Sequence, residues 1–222
     1  MSLANIDFPV LDEVEKMILR EAGFTVHYPK NHIVFSAGDF ADRVFLIESG
    51  YVKIYRLSPD GRRVTVGSIR SHGEMMGLAE TLWGGERTCF AGAINNVSLV
   101  IIRKNKFEEV LAKNSILGLK VAKLLGARMR EAEGIIHEMV CWQAPGRLAL
   151  MLLKMGDRCG VEERSGIKID LQLTHEELAN MVGTSRQTVT SLLNTFKTEK
   201  SIEYKGRGTM VLNPDKLSKW IT

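Results

Sequence analysis

The chain has no apolar run approaching the ~20 residues that span a bilayer. Its first residues, MSLANIDFPV, lack the basic-then-apolar pattern of a secretory signal. A cytoplasmic chain with no membrane partner is expected. Cysteine is scarce: Cys89, Cys141 and Cys159 are scattered and give no CxxC, no zinc spacing and no disulfide framework, which suits a reducing compartment. Catalytic signatures are missing as well. There is no P-loop, no G-x-S-x-G, no HExxH and no His/Cys/carboxylate set with ligand spacing, so an enzyme is not expected. Net charge is small, +4 from 30 basic and 26 acidic residues.

That charge is unevenly spread. Residues 1–116 hold equal numbers of basic and acidic groups, whereas residues 184–222 hold seven basic against three acidic. The excess therefore lies at one end, as expected of a surface that meets a polyanion. The 222 residues suit two modest domains, or one domain with an appendage. After a short helical stretch around Val10–Arg20, the segment VFLIESGYVKIYRLSPDGRRVTVGSI reads as strands with turns at Ser49-Gly50 and Ser58-Pro59-Asp60-Gly61. More strand is expected at Cys89–Ile94 and Ser98–Ile102, and many short strands at this spacing predict a sandwich or barrel-like roll.

From about Phe107 the period changes. Val121, Leu125, Arg128, Ala132, Ile135, Met139 and Trp142 are spaced 4, 3, 4, 3, 4, 3, a heptad seam that Leu124, Met129, Ile136 and Val140 broaden. A helix of ~25 residues runs ~37 Å, longer than one face of a small domain covers. It reads either as a core helix packed on the roll or, as the heptad spacing over three repeats favours, as a dimerisation helix pairing with a second copy. Arg128, with Gly126 and Gly134 beside it, leaves room or charge for something bound between the helices. Pro145 breaks the pattern.

The last third begins with an amphipathic stretch at Arg147–Met155 and a β-like stretch at Ile167–Leu173. Thr174-His175-Glu176-Glu177 then has the form of a capping box, followed by the apolar Leu178, Ala179, Met181 and Val182. Gly183 stands where a tight turn requires positive φ, and Thr184 or Ser185 can cap the next helix. In that helix, Ser185–Thr198, the positions Val189, Leu192, Leu193 and Phe196 make one apolar face. Arg186, Gln187, Thr190, Ser191, Asn194 and Lys197 make the opposite, polar one. Arg pairs with guanine and Gln with adenine in the major groove, so the pattern predicts a helix–turn–helix on double-stranded DNA. Glu203–Leu212 reads as a hairpin with Lys205 and Arg207 near its tip, the wing of a winged helix.

These motifs resemble the CRP/FNR family of bacterial transcription regulators along nearly the whole chain. LTHEELANMVGTSRQTVTSLLNTF is similar to that family's DNA-reading element, and especially to that of its haem-containing, carbon-monoxide-sensing members. The resemblance implies an α+β fold: a cyclic-nucleotide-binding-like β-roll (jelly roll) over 1–116, a dimerisation helix over 117–143 and a winged helix–turn–helix over 144–222. It implies a homodimer on a palindromic operator, contact with RNA polymerase, and gating by a small molecule, gas or redox effector. By the same likeness Arg186 meets a half-site guanine while Gln187 and Ser191 set the neighbouring preference.

GEMMGLAETLWGGERTCFAG aligns with the family's cyclic-nucleotide segment, and Arg87-Thr88 stand for its phosphate-gripping Arg-Ser pair. Gly77 precedes the ribose-binding position, which is Leu78 here rather than Glu. The pair that meets the base corresponds to Ala132 and Glu133, so the resemblance argues against cyclic AMP. Effector candidates are Gly77, Leu78, Arg87, Thr88, Arg128, Ala132 and Glu133. An iron–sulfur cluster is not expected, since no cysteine precedes Cys89. For haem the family's ligand positions hold Gly77 and Ala79, leaving only His72 nearby. The competing expectation is a cyclic-nucleotide-binding module that acts on a protein partner; it leaves the basic C-terminal segment without a purpose.

Overall fold

The computed structural model describes residues 8–171, 173–205 and 208–221. It divides into two compact units whose boundary falls between Glu133 and Gly134. The first starts with α1 (Glu13–Glu21), three residues later than the sequence pattern places it, because Asp12 is the N-cap and forms a capping box with Glu15. Next come strands β1 (Phe24–Tyr28), β2 (Ile33–Phe35), β3 (Arg43–Ser49), β4 (Val52–Leu57), β5 (Arg63–Thr65) and β6 (Met75–Met76). The short helix α2 (Leu78–Trp83) leads to β7 (Phe90–Ala93) and β8 (Val97–Arg103). They form two antiparallel sheets, ordered β1-β8-β3-β6 and β2-β7-β4-β5.

The residues of β3 explain how the sheets stack. Phe45 and Ile47 point into the layer between the sheets with Phe35, Val52, Leu99 and Ile101. Val44 and Leu46 point the other way, into a second core with Leu19, Val100, Ile102 and Phe107. A strand buried on both faces reads as a continuous apolar run, which is why VFLI does not alternate. Burying each such side chain stabilises by ~1.5–3 kcal/mol.

Helix α3 (Lys104–Lys113) leads into α4 (Ser115–Cys141). The heptad seam is not one face in the structure. Leu117, Val121 and Leu124 belong to the core beside the first sheet, and Arg128 is engaged with the carboxylates of Glu74 and Glu131. The apolar face left open carries Met129, Ile136 and Val140, which are 62%, 66% and 81% exposed. The helix thus has two apolar stripes, and its sequence periodicity merged them.

The second unit contains the end of α4 and then α5 (Ala144–Cys159), which has Gln143 as N-cap and Pro145 in its first turn. Strands β9 (Gly160–Glu163) and β10 (Gly166–Ile169) come next, then α6 (His175–Val182), α7 (Arg186–Thr198), β11 (Ile202–Tyr204), β12 (Met210–Leu212) and α8 (Pro214–Ser218). The expected Ile167–Leu173 strand is shorter than its sequence pattern, and Leu173 N–H turns back to the carbonyl of Leu171 at 2.9 Å. The sheet order is β11-β12-β10-β9. Gly156 is buried in α5, where a Cβ would meet Leu212 and Ile167 at 3.2 and 3.3 Å. Among the described residues no helix is long and apolar enough to cross a membrane.

Candidate functional site

The helix pair begins with the capping box expected from sequence. Thr174 accepts from Glu177 N–H while the Glu177 carboxylate accepts from Thr174 N–H. Gly183 has φ 70° and ends α6. A Cβ there would stand 2.7 Å from the methyl carbon of the flexible Met139 side chain, which can move aside, so it is the positive φ that calls for glycine at this turn. Ser185, not Thr184, caps α7 and accepts from Thr188 N–H. Thr174→Ala should therefore cost ~1 kcal/mol of the second unit's stability; unchanged denaturant midpoints would show that the cap contributes nothing.

Val189, Leu193 and Phe196 of α7 are buried, with Phe196 4.9 Å from the Trp220 ring. Their burial turns the opposite face outward: Arg186, Gln187, Ser191, Asn194 and Lys197 are exposed and Thr190 is half-buried. Arg186 and Gln187 occupy the first turn. Neither Arg186 nor Lys197 takes part in a salt bridge among the described residues, so both charges are free to meet a polyanion. In the hairpin Tyr204 pairs with Met210, and Lys205 N–H donates to Thr209 O at 3.0 Å. The Lys205 ammonium is exposed but leans on Glu163 at 3.3 Å and Ser165 at 3.2 Å. Arg207 lies outside the described residues.

The effector candidates do not form one cluster. Gly77 and Arg87 do meet, because Arg87 Nη1 donates to Gly77 O at 2.8 Å. The remaining Arg87 geometry is that of a buried arginine, 3% exposed. Its second Nη donates to the Arg43 carbonyl, and its guanidinium lies 4.7 Å from the Phe35 ring centroid. Burial pushes its pKa below the ordinary arginine value, against the pull of Glu80 and Asp42. It lines a cavity of about 350 Å³ with Tyr28, Asp39, Phe40 and Arg43. Thr88 is exposed and donates to Glu80 at 2.8 Å. Leu78 is packed in the core, and Ala132 and Glu133 stand exposed on α4.

Arg128 belongs to a network that the sequence pattern did not reveal. Its guanidinium pairs with Glu74 and, at 3.1 Å, with Glu131, and covers the Phe8 ring at 3.9 Å. Glu131 also meets Arg70 at 3.4 Å and accepts from Ser68 N–H at 3.0 Å. All four charged side chains are largely buried. Burial raises the Glu131 pKa, but Arg70, Arg128 and the Ser68 hydrogen bonds outweigh it and hold it below the usual carboxylate value. The i,i+3 spacing of Arg128 and Glu131 was the one available signal; Arg70 carried none.

The remaining candidate ligands are separate. His72 is exposed, with Nδ1 2.6 Å from the Glu48 carbonyl. Cys141 is exposed beside His137 at 3.4 Å. Burial pushes the Cys159 thiol pKa up.

Residues 25–114 match the cyclic nucleotide-binding domain model, and residues 146–220 match the Crp-like helix-turn-helix domain model. The chain is 30% identical to a CRP-like cAMP-activated global transcriptional regulator of Mycobacterium tuberculosis, over 87% of this chain and 86% of the relative. It is also 30% identical to a global nitrogen regulator of Nostoc sp., over 88% of both chains. Among solved structures, a CooA mutant from Carboxydothermus hydrogenoformans superposes with TM-score 0.76 at 26% identity, covering 96% of this chain and 93% of that one. FixK2 from Bradyrhizobium japonicum shares the fold at TM-score 0.81, with 22% identity over 90% of this chain and 98% of that one.

Proposed function

The chain belongs to the CRP/FNR family of DNA-binding transcription regulators, and on that premise we propose that it reads a palindromic operator as a homodimer, with α7 in the major groove. The observation that carries this reading is the outward polar face of α7, with Arg186 and Gln187 in its first turn and, among the described residues, no ion-pair partner for Arg186 or Lys197. Ser185 and Thr184 sit where helix N-terminal groups meet phosphate, and Ser191 and Asn194 continue the face along the groove. Lys197 and Lys205 supply backbone charge; Arg207 has the same role by its place in the sequence.

The homodimer forms through the open stripe of α4. Met129, Ile136 and Val140 are large, apolar and aligned at spacings of seven and four, and pairing them removes that surface from water. Replacing Ile136 and Val140 together by Glu should convert a dimer at micromolar concentration to monomer in analytical ultracentrifugation. A variant that sediments as a dimer would place the interface elsewhere.

An effector at the first unit gates the regulator by shifting a population between two arrangements. Because α4 runs on from that unit into the second, a change in how it is held at Arg128 and Glu131 passes along the helix. Arg87 is already engaged with two main-chain carbonyls, which speaks against a cyclic phosphate as the resident signal. Calorimetry with cyclic AMP and cyclic GMP tests this: no heat is expected, and tight binding would restore cyclic nucleotide as the effector. The function itself is tested by selection of randomised duplex DNA and by the salt dependence of binding. A motif with two inverted half-sites and affinity that falls steeply with salt is expected; absence of both would overturn the reading. Cytoplasmic residence and contact with RNA polymerase complete the proposal.

A further inference from the structure

In the sequence His175 is only one member of a capping box, yet its side chain leaves α6 and reaches α7. Its Nδ1 lies 2.8 Å from Thr190 Oγ1. Thr190 Oγ1 in turn donates to the carbonyl of Arg186 at 2.9 Å, the bond to the preceding turn that a helical threonine favours. A hydroxyl has one proton. With that proton on the Arg186 carbonyl, Oγ1 can meet His175 only as an acceptor, so Nδ1 carries the hydrogen and donates. The two bonds hold the Thr190 hydroxyl against the protein from both sides. With its one proton engaged, Oγ1 has no hydrogen left to donate to a base edge, and the methyl is the apolar group that the side chain can bring against one.

We infer that His175 is a positioning residue that fixes Thr190 with its hydroxyl turned inward and its methyl turned out, so that position 190 selects thymine through the C5-methyl group. The major-groove edge of thymine is the only one that offers a methyl. Removing the hydroxyl donor from the groove also withdraws a contact that would otherwise accept any base edge with an acceptor. The inference rests on α7 being the DNA-reading helix, and it adds which atom of Thr190 reads and what holds it there.

The test is selection by the full-length protein from a duplex library with a randomised half-site, at low salt, with variants compared position by position. Wild-type protein should enrich one T·A pair beside the guanine read by Arg186. Thr190→Ser keeps the hydroxyl and loses the methyl, so the thymine preference should fall about fourfold, the worth of one buried methyl-sized group. His175→Ala should lower that same preference by a similar factor while the guanine preference stays, a pattern that general destabilisation does not produce. His175→Asn places an amide N–H where Nδ1 stands and should restore it. In ¹⁵N-labelled full-length protein without DNA, His175 should show a protonated Nδ1. Unchanged thymine preference in His175→Ala or Thr190→Ser, a Thr190-dependent position that is not thymine, or a bare Nδ1 would overturn the inference. If wild-type protein enriches no motif at all, the reading of α7 itself fails.

Discussion

Arg186→Ala is expected to weaken binding to the selected operator by about 1–3 kcal/mol and to relax the preference at one guanine of each half-site. The reason is local. Ser185 starts α7, so Arg186 projects from its first turn, where a helix end-on to the groove brings side chains to base edges. Its guanidinium is exposed and has no acidic partner to leave among the described residues, so engagement with guanine costs no broken ion pair. Lys197→Ala is the informative contrast. If Lys197 meets only phosphate, affinity falls for every sequence alike and the salt slope drops by about one, with the base preferences intact. Footprinting and anisotropy titrations at several salt concentrations separate the two. An Arg186→Ala protein with wild-type affinity and preference would remove α7 from the groove.

Glu131→Ala is expected to destabilise the first unit by about 3 kcal/mol, because it leaves Arg70 and Arg128 buried beside a missing countercharge. Neither arginine is left wholly alone: Arg128 keeps Glu74, and Arg70 keeps the Ser68 carbonyl at 3.0 Å. That places the loss near the lower end for a broken buried pair. The same carboxylate predicts a pH signature. Its folded-state pKa lies below the ordinary 4.5, so its stabilisation is complete above that value and is lost as pH falls through the lower folded one. Denaturant unfolding of the wild type should lose stability with acidification over that range, and Glu131→Ala should show a shallower loss. Equal stability of the two proteins at neutral pH would mean that the network contributes nothing to the fold. Operator binding by the variant reports separately on gating: a changed response with an intact fold identifies this network as the hold on α4.

Both experiments bear on parts of the molecule that the sequence revealed unequally. The helix–turn–helix was legible almost atom by atom, since the capping box, the Gly183 turn and the apolar face of α7 are local features whose physics acts over a few residues. The roll was legible as a class. Its run VFLI arises from burial on both faces, yet nothing in the run says which residue faces which layer. The α4 seam was legible only as a sum. Period alone cannot separate a stripe packed on the roll from one left open, and Val121 and Met129 fall in the same broadened pattern.

What the sequence determined by itself was the order of the parts and the two faces of α7, because short-range caps, turns and periodicity suffice for both. The small net charge, concentrated in residues 184–222, already marked the helix–turn–helix end of the chain. Only the tertiary structure decided what the first unit does with its charges. It placed Arg87 as a buried donor to the Gly77 and Arg43 carbonyls, and it joined Arg70, Glu74, Arg128 and Glu131 across as many as 61 positions of chain. It likewise brought His175 to Thr190. Such contacts depend on which elements pack together, and packing is set by the whole core rather than by any segment that supplies the residues.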